Sequence, residues 1–340
     1  MSMKRMLGIL IVMAGFVFLL AACGEKTQED VLADLEETMK EMEGYKANAE
    51  MSMNTGQEDQ KFAIDIWHKK DDLFRVALTN DMDEKGSQVI LKNKDGVFVL
   101  TPALKKNFKF QSDWPENSSQ PYLYQSLVND IKKDKEAEFE STDTHYVFKT
   151  KTNYQSNNNL PFQEIHFDKK SLTPVEVKVL DKDKNALVVV KFSSFEKDAS
   201  FKEDDFSMEK NMASNATEDE AVSGEVEDNA LTVSLPTFMA GAELEQKKEI
   251  DLEDGKRAIL TFSGDKNFTL VQEKRNVVPT MTSPQEVKGD IINLGHTVAG
   301  LSEKTLEWSY NGVDYILASD ELTKEELIQV AQSVQGQEVK

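Results

Sequence analysis

Between Tyr45 and Leu78 apolar and polar residues alternate with a period of two in three successive runs, and two short apolar runs, Val89–Leu91 and Val97–Leu100, follow. This pattern limits that part of the chain to β-structure. Side chains on a strand point alternately to the two faces of a sheet, so the alternation predicts strands with one buried face and one solvated face. Short polar turns such as Thr55-Gly56 and Asp95-Gly96 separate the runs, which is typical of antiparallel strands joined in sequence. Further strands are expected at 144–150, 162–167, 175–180 and 187–195.

Two stretches with a helical period lie before and within these strands. A helix is expected over Glu25–Glu43, because Thr27 and Asp30 form a capping box and Gly44 is a favourable C-terminal stop. A second helix is expected from about Pro121 to Lys133, since proline suits a first helical turn. The fold class predicted for the chain is therefore α+β, mainly antiparallel β.

The N-terminus has the pattern of an export signal. Lys4 and Arg5 precede an uncharged apolar run, Met6–Leu20, of about fifteen residues, which is too short for a comfortable membrane span. Leu20-Ala21-Ala22-Cys23 follows and resembles the lipobox of bacterial lipoproteins. The resemblance implies a signal peptide over 1–22, cleavage before Cys23, and acylation of that cysteine. The alternatives are a buried structural cysteine and a permanent anchor helix.

Composition limits both the fold and the partners. Cys23 is the only cysteine, so an internal disulfide is excluded and the core alone must hold the fold. Removing 1–22 takes away two basic residues and no acid, which moves the formal net charge from −21 to −23. A chain this acidic is not expected to bind nucleic acid, and it should be repelled by anionic lipids. Attachment to the membrane is therefore assigned to the acyl anchor, at the extracytoplasmic face of the cytoplasmic membrane.

The segment 213–230 divides the chain. It contains six acidic residues, no basic residue and no aromatic residue, a composition that predicts a solvated linker. The region 23–212 before it is then one domain, and 231–340 is a small α+β domain. In the second domain, strands are expected at 231–235, 257–262, 267–272 and, less clearly, 287–294. Asn311-Gly312 predicts a hairpin, and a capping box of Thr323 and Glu326 predicts a final helix.

Three motifs in the first domain carry a resemblance to a known family. They are Ile66-Trp67-His68-Lys69-Lys70-Asp71-Asp72-Leu73-Phe74, Asp95-Gly96-Val97-Phe98-Val99-Leu100-Thr101-Pro102 and Phe167-Asp168-Lys169-Lys170-Ser171-Leu172-Thr173-Pro174. Their order and spacing resemble the LolA/LolB family over roughly residues 28–212. The resemblance implies an unclosed β half-barrel capped by helices, with an apolar concave side that holds lipid acyl chains. With its signal, linker and C-terminal domain, the whole chain resembles YdcC-type sporulation lipoproteins of bacilli.

The apolar face of the expected half-barrel is the candidate binding site. The first helix supplies one side of it and the early strands supply the other, and methionines suit an adaptable lining. The alternative is that the same residues form a dry core. The candidate lining residues are Leu32, Leu35, Met39, Met42, Phe62, Ile64, Ile66, Phe74, Val76 and Leu78.

Lys70 is a candidate contact for the helical lid. The resemblance places it where the soluble carrier of the family has an arginine that latches and releases the lid. Lysine lacks the planar donor fork of arginine, and Asp71 replaces the proline that follows in the carrier. The alternative for Lys70 is an ordinary charge at the end of a strand.

No motif in the sequence indicates catalysis. The four histidines, His68, His145, His166 and His296, have no zinc-ligand spacing and no cysteine partner. Nucleophile elbows and phosphate-binding glycine loops are also missing from the sequence. We therefore expect neither an enzyme nor a cofactor. The leading hypothesis is a lipoprotein that binds a lipid or a lipidated protein. The alternative is a structural or protein-interaction role in the envelope without a lipid ligand, and the sequence names no protein partner.

Overall fold

The structure is a computed structural model that describes residues 25–54, 59–80, 87–111, 113–116, 118–154, 160–213, 231–275, 285–294, 297–310 and 312–334. The signal peptide, Cys23 and the acidic segment 214–230 lie outside these ranges. The expected lipidation site and the expected linker therefore stay predictions. His296 and Asn311 also lie outside the described residues.

About half of the described residues before the acidic segment belong to one large sheet. Its strands in this part of the chain are β1 (Gly44–Asn54), β2 (Asp59–Lys69), β3 (Leu73–Asn80), β4 (Gln88–Asn93), β5 (Gly96–Thr101), β6 (Lys106–Gln111), β7 (Glu138–Ser141), β8 (His145–Lys151), β9 (Phe162–Asp168), β10 (Pro174–Leu180) and β11 (Ala186–Lys197). The helices are α1 (Gln28–Glu41), α2 (Tyr124–Lys133) and α3 (Met208–Ala213), with short 3₁₀ turns at Pro102–Leu104 and Glu203–Phe206.

The C-terminal part builds a second, smaller sheet. Its elements are β12 (Ala242–Leu252), β13 (Gly255–Gly264), β14 (Phe268–Arg275), β15 (Gln285–Lys288), β16 (Asp290–Asn293), β17 (Val298–Leu301), β18 (Thr305–Tyr310), β19 (Val313–Ala318) and α4 (Lys324–Gln332). Among the described residues this sheet has seven strands, in the order β12-β13-β14-β19-β18-β17-β16. Strand β15 is the exception, because it joins the first sheet.

The first sheet is open. Its order is β15-β6-β5-β4-β3-β2-β1-β11-β10-β9-β8-β7, so that β15 and β7 are its two end strands in the described part of the chain. Every pair in it is antiparallel except β15 with β6. Helices α1 and α2 pack against each other over its concave side. The predicted class is confirmed: an unclosed antiparallel half-barrel capped by helices, followed by a small α+β unit.

Local sequence signals fix several element boundaries. The amide of Asp30 donates to the Thr27 hydroxyl over 3.2 Å, and the Thr27 amide donates to the Asp30 carboxylate over 3.1 Å. Thr323 and Glu326 form the same reciprocal pair at the start of α4. Gly312, with φ of +76°, turns β18 into β19 as the hairpin signal predicts.

The second unit differs from the sequence-based expectation in two places. Residues 231–235 form no strand; Ser234 alone makes an isolated bridge, and the Gln272 side chain bonds its amide and carbonyl. Strand β12 was not expected, because six of its eleven residues are charged and its apolar residues do not alternate regularly. It lies at the edge of the sheet with most of its side chains in solvent, so it needs no apolar face.

The convex side of the first sheet is covered around β2–β5. Phe206 and Met212 pack there on Val89, Leu91 and other apolar residues of the strands. The Arg75 guanidinium lies 4.4 Å from the Trp67 ring centroid and donates to Asn211 of α3 over 2.6 Å and to Asp65 over 2.7 Å. This network holds α3 against the sheet.

The two sheets are joined through buried contacts. Strand β15 pairs in parallel with β6, and Val287, Ile291 and Val298 enter the apolar core of the first sheet. The buried Gln88 side chain donates to the Thr297 hydroxyl over 2.8 Å and accepts from the Val298 amide over 3.0 Å. The C-terminal segment therefore completes one end of the half-barrel.

Gly289, between β15 and β16, is a sensitive point of this junction. Its φ is +132°, and a Cβ there would lie 2.2 Å from the Leu301 carbonyl oxygen. We expect Gly289→Ala to lower the free energy of unfolding by about 2 kcal/mol through strain and clash, measured by urea denaturation. Gly312→Ala is the matched control, because Gly312 also has positive φ but nothing lies within 4 Å of its added Cβ. Equal losses in the two variants would contradict a clash at Gly289.

Candidate functional site

The concave face of β1, β2 and β3 is apolar and in register. Ile64 lies opposite Leu78, Ile66 lies opposite Val76, and both isoleucines face alanines of β1 on their other side. Such cross-strand pairs put their side chains on the same face of the sheet. The six strand residues expected to line the site are therefore neighbours on one surface: Phe62, Ile64, Ile66, Phe74, Val76 and Leu78.

Helix α1 lies on this surface. Val31 and Leu35 are fully buried, and Leu32 and Met39 pack partly buried against the same cluster. All ten candidate lining residues belong to this single cluster or pack on it, and eight of the ten are buried. The structure thus brings the candidate set together, as a closely packed layer between helix and sheet.

The apolar layer extends further than the candidate set. The stripe of α2 contributes Tyr124, Leu127, Val128 and Ile131, and β1 contributes Met51 and Met53. The strands after α2 add a second wall made of Phe148, Ile165, Phe167, Val177, Val179, Val188 and Val190. All of these residues follow the period of two of a strand or the period of 3.6 of a helix, so their burial could have been predicted from the sequence.

Few polar contacts hold α1 to the rest of the protein. Glu36 pairs with Lys132 of α2 over 2.5 Å, and the Gln28 side chain donates to the Ala137 carbonyl over 3.2 Å. Both contacts are at least partly exposed to solvent, where an ion pair contributes at most about 1 kcal/mol. Burial of its apolar stripe is therefore the main force that keeps α1 in place.

Lys70 contacts the segment that follows α1. Its amide donates to the Glu43 carbonyl over 2.8 Å, and its Nζ lies 2.6 Å from the Glu43 carboxylate. The hydrogen bond to Glu43 is the main cause that raises the pKa of Lys70. Both side chains are exposed, and Glu43 belongs to the connection between α1 and β1. The side chain thus contacts the connection at the C-terminal end of α1, and its role as a lid contact stays a prediction.

A buried histidine lies near the same end of α1. His68 stacks on Phe74 at 4.5 Å between ring centroids, and Tyr45 lies on its other side at 5.3 Å. Its Nδ1 is 3.2 Å from the Leu73 carbonyl oxygen. Burial disfavours the charged ring and lowers the pKa of His68 from 6.5 to about 4. The ring is therefore a neutral part of the core at neutral pH.

The other described histidines and carboxylates do not converge. His145 and His166 lie 6.2 Å apart between ring centroids, and His166 bonds Glu164 over 2.7 Å. In the described part of the chain, no group of three or more histidine, cysteine or acidic side chains is placed to hold a metal ion. A search of the same residues also finds no helix with the length and hydropathy needed to cross a membrane.

These features define a class: an open antiparallel half-barrel with an apolar concave face under two helices, joined to a smaller sheet with its own helix. The chain belongs to the YdcC-like sporulation protein family. The model of that family, described as "Sporulation protein YdcC-like", matches residues 3–206. The sporulation protein YdcC of Bacillus subtilis (strain 168) is 48% identical over 324 residues, which cover 95% of each chain. The family resemblance predicted from the sequence is confirmed.

Two solved structures are similar at low sequence identity. The crystal structure of MucB is 14% identical, with a TM-score of 0.35, and the match covers 89% of this chain and 96% of that one. A LolA-superfamily protein from Nitrosomonas europaea is 11% identical with a TM-score of 0.32, over 54% of this chain and 99% of that one.

Proposed function

We propose that this protein is a non-catalytic lipoprotein of the cell envelope that acts in sporulation and binds an acyl chain, from a lipid or a lipidated protein. In this proposal Cys23 anchors it to the outer face of the cytoplasmic membrane, and the acyl chain enters between α1 and the concave face. Membership in the YdcC-like family supports the role in sporulation. The lipobox pattern supports the anchor.

The observation that carries acyl binding is the attachment of α1. This helix covers the concave face almost entirely through apolar contacts, and its polar contacts are few and partly exposed to solvent. When α1 moves away, a ligand with an apolar chain replaces the lost contacts, so little hydrophobic free energy is sacrificed. Met39, Met42, Met51 and Met53 lie in or against this layer, and their flexible thioethers adapt to a ligand of variable shape.

A second candidate function is supported by the packing itself. The half-barrel is filled by its own side chains, and Leu35, Ile66 and Val76 are completely buried. A filled interior suits a structural or protein-interaction role in the envelope without a lipid ligand. The two candidate functions differ in whether α1 moves away from the concave face of the sheet.

Co-purifying lipid is the first test. The chain 24–340 contains every residue that the structure describes and no longer carries Cys23. Expressed in cells, purified and extracted for mass spectrometry, it is expected to release acyl lipid and then to take up a fluorescent fatty acid. Absence of both lipid and uptake would sink the acyl-binding proposal and leave the interaction role.

Cross-linking α1 to α2 tests the entry route. Glu36→Cys with Lys132→Cys, bridged by a short bis-maleimide in the chain 24–340, ties together the two residues whose charged groups lie 2.5 Å apart. We expect the bridge to reduce fatty-acid uptake about tenfold or more, because α1 must separate from its neighbours. Lys26→Cys with Asp34→Cys is the matched control, since this pair joins α1 only to the residues that precede it. Unchanged uptake in the bridged α1–α2 protein would place the entry elsewhere.

A further inference from the structure

The second sheet has two different faces. On one face, Leu306 and Leu317 are buried in the same apolar cluster as Leu327 and Val330 of α4. Successive side chains of a strand point to opposite faces, so the residues next to these leucines, Glu307 and Ile316, lie on the side away from α4. We call this side the open face.

A row of five cross-strand neighbours crosses the open face. Each member lies directly opposite the next on the neighbouring strand, and in the order of the sheet they are Lys248, Ile259, Val271, Ile316 and Glu307. Ile259 and Val271 are partly exposed, and Ile316 is 41% exposed. Three aliphatic side chains therefore lie side by side, with a cation at one end and an anion at the other. Apolar side chains with a charged rim are a feature of protein interfaces.

The charges at the two ends of the row are available to another molecule. Among the described residues, neither Lys248 nor Glu307 forms an ion pair. The charges of the next row on the same face are already engaged within the chain, because Arg257 pairs with Glu273 and Asp314 pairs with Lys106. The open face thus has a positive end at β12 and a negative end at β18.

The first sheet covers the open face beyond β18. Gly300 of β17 lies directly opposite Glu307, and a Cβ on this glycine would lie 2.5 Å from the Val287 side chain and 2.9 Å from the Phe110 ring. At the other end of the row, β12 is an end strand of the described sheet. The uncovered part of the face therefore spans the five strands from β12 to β18.

We propose that the open face is the interface of a homodimer, in which the open faces of two copies pack against each other. A two-fold axis that runs along β14 within the interface reverses the row. Lys248 of one copy then lies against Glu307 of the other, and the aliphatic centres of the two rows meet. The strands of the two sheets run in similar directions, as in the aligned packing of β-sandwiches. The edge strand β12 of one copy then lies over β18 of the other, next to the covered strand β17, so that five strands of each sheet overlap.

The size of the face indicates a weak dimer. Five strands about 4.8 Å apart, each with three residues about 6.8 Å apart on this face, give about 500 Å² for each copy and about 1,000 Å² in total. This area is at the lower limit for a specific interface, so we expect a dissociation constant of about 10 µM or weaker.

Sedimentation equilibrium with exchanged charges tests the proposal. The chain 24–340 is studied at about 0.15 M salt, which screens the repulsion between two acidic copies beyond about 8 Å. We expect Lys248→Glu and Glu307→Lys each to weaken the dimer about tenfold, because each places like charges opposite one another at two symmetric points. The double variant is expected to restore the dimer. Its two positions are four strands, or about 19 Å, apart within one chain, so the restoration requires contact between copies.

Ile316→Ser tests the apolar centre of the open face, and it is expected to remove the dimer. Phe238→Ser is the matched control, because Phe238 is 39% exposed but bonds Ser333 at the end of α4, on the other side of the sheet. Urea denaturation checks that both variants remain folded.

Three outcomes overturn the proposal. A monomer at every concentration up to ten times the expected dissociation constant would leave the open face to a different protein. An equal loss of dimer in Ile316→Ser and Phe238→Ser, or no restoration in the double charge variant, would place the contact elsewhere. The assay contains neither Cys23 nor lipid, so its result is independent of the anchor and of acyl binding.

Discussion

Replacing Cys23 with alanine is expected to transfer nearly all of the protein from the membrane fraction to the soluble fraction. In the proposed function the acyl chains supply the attachment, since each buried CH₂ group contributes about 0.8 kcal/mol and two or more chains give stable anchoring. In the chain from Glu25 onward, the described residues include no helix suited to span a membrane. Fractionation followed by immunoblotting measures the transfer, and metabolic labelling with palmitate checks the modification.

The design of this experiment must separate the cysteine from the signal peptide. The Cys23→Ala chain receives a secretory signal with an Ala-x-Ala site in place of 1–22, because an uncleaved apolar run would itself hold the chain at the membrane. Thr27→Ala in the natural chain is the control. It weakens the start of α1 by about 1 kcal/mol and keeps the cysteine, so it is expected to stay in the membrane fraction. Membrane retention of the cleaved Cys23→Ala protein would refute the lipid anchor.

The second large effect is a decrease in the free energy of unfolding at acidic pH that is caused by protonation of His68 in the unfolded chain. Because burial lowers its pKa from 6.5 to about 4, the unfolded chain binds a proton between these values while the folded chain does not. The His68 contribution to stability is therefore complete above pH 6.5 and falls as the pH is lowered toward 4. The expected loss is about 3 kcal/mol over this interval.

His68→Phe is the variant that isolates this effect. Phenylalanine keeps an aromatic ring between Tyr45 and Phe74 but cannot take up a proton. Urea denaturation at several pH values is expected to show a difference between parent and variant that changes steadily from pH 6.5 to 4 and is constant above 6.5. Parallel curves for the two proteins would contradict the assignment. The comparison cancels the carboxylates, among them Asp130, whose pKa burial raises and whose contribution has the opposite sign.

Much of the first sheet was predictable because its signals are local. The alternation of apolar residues gave the faces of β1, β2 and β3, and the capping boxes of Thr27 and Thr323 gave the starts of α1 and α4. The membership of the candidate lining followed from the same alternation, since residues two apart share a face of a strand. Whether those residues surround a ligand or fill the space themselves depends on the distance between α1 and the sheet. The periodicity of the sequence does not determine this distance.

Other features depended on contacts that a local pattern cannot show. Strand β12 has no apolar face because it is an edge strand, so its charged sequence resembled a loop. Strand β15 has only four residues, and its partner in the first sheet, β6, is far away in the chain. Of these four residues, Val287 enters the core.

The parallel pairing of β15 with β6 also sets an order of events during synthesis of the chain. Phe108 of β6 is paired with Gln285 of β15, so β6 stays unpaired on this side until the much later segment that contains β15 has been made. Forming this pair closes a long loop of chain, which slows folding. A chain made from its N-terminus therefore exposes the hydrogen-bonding groups of β6 until its C-terminal part has been made. During that interval the open edge is a template for pairing with another nascent chain. Chains truncated after the acidic segment would keep that edge permanently, which makes aggregation, more than loss of the second sheet itself, the expected fate of such fragments.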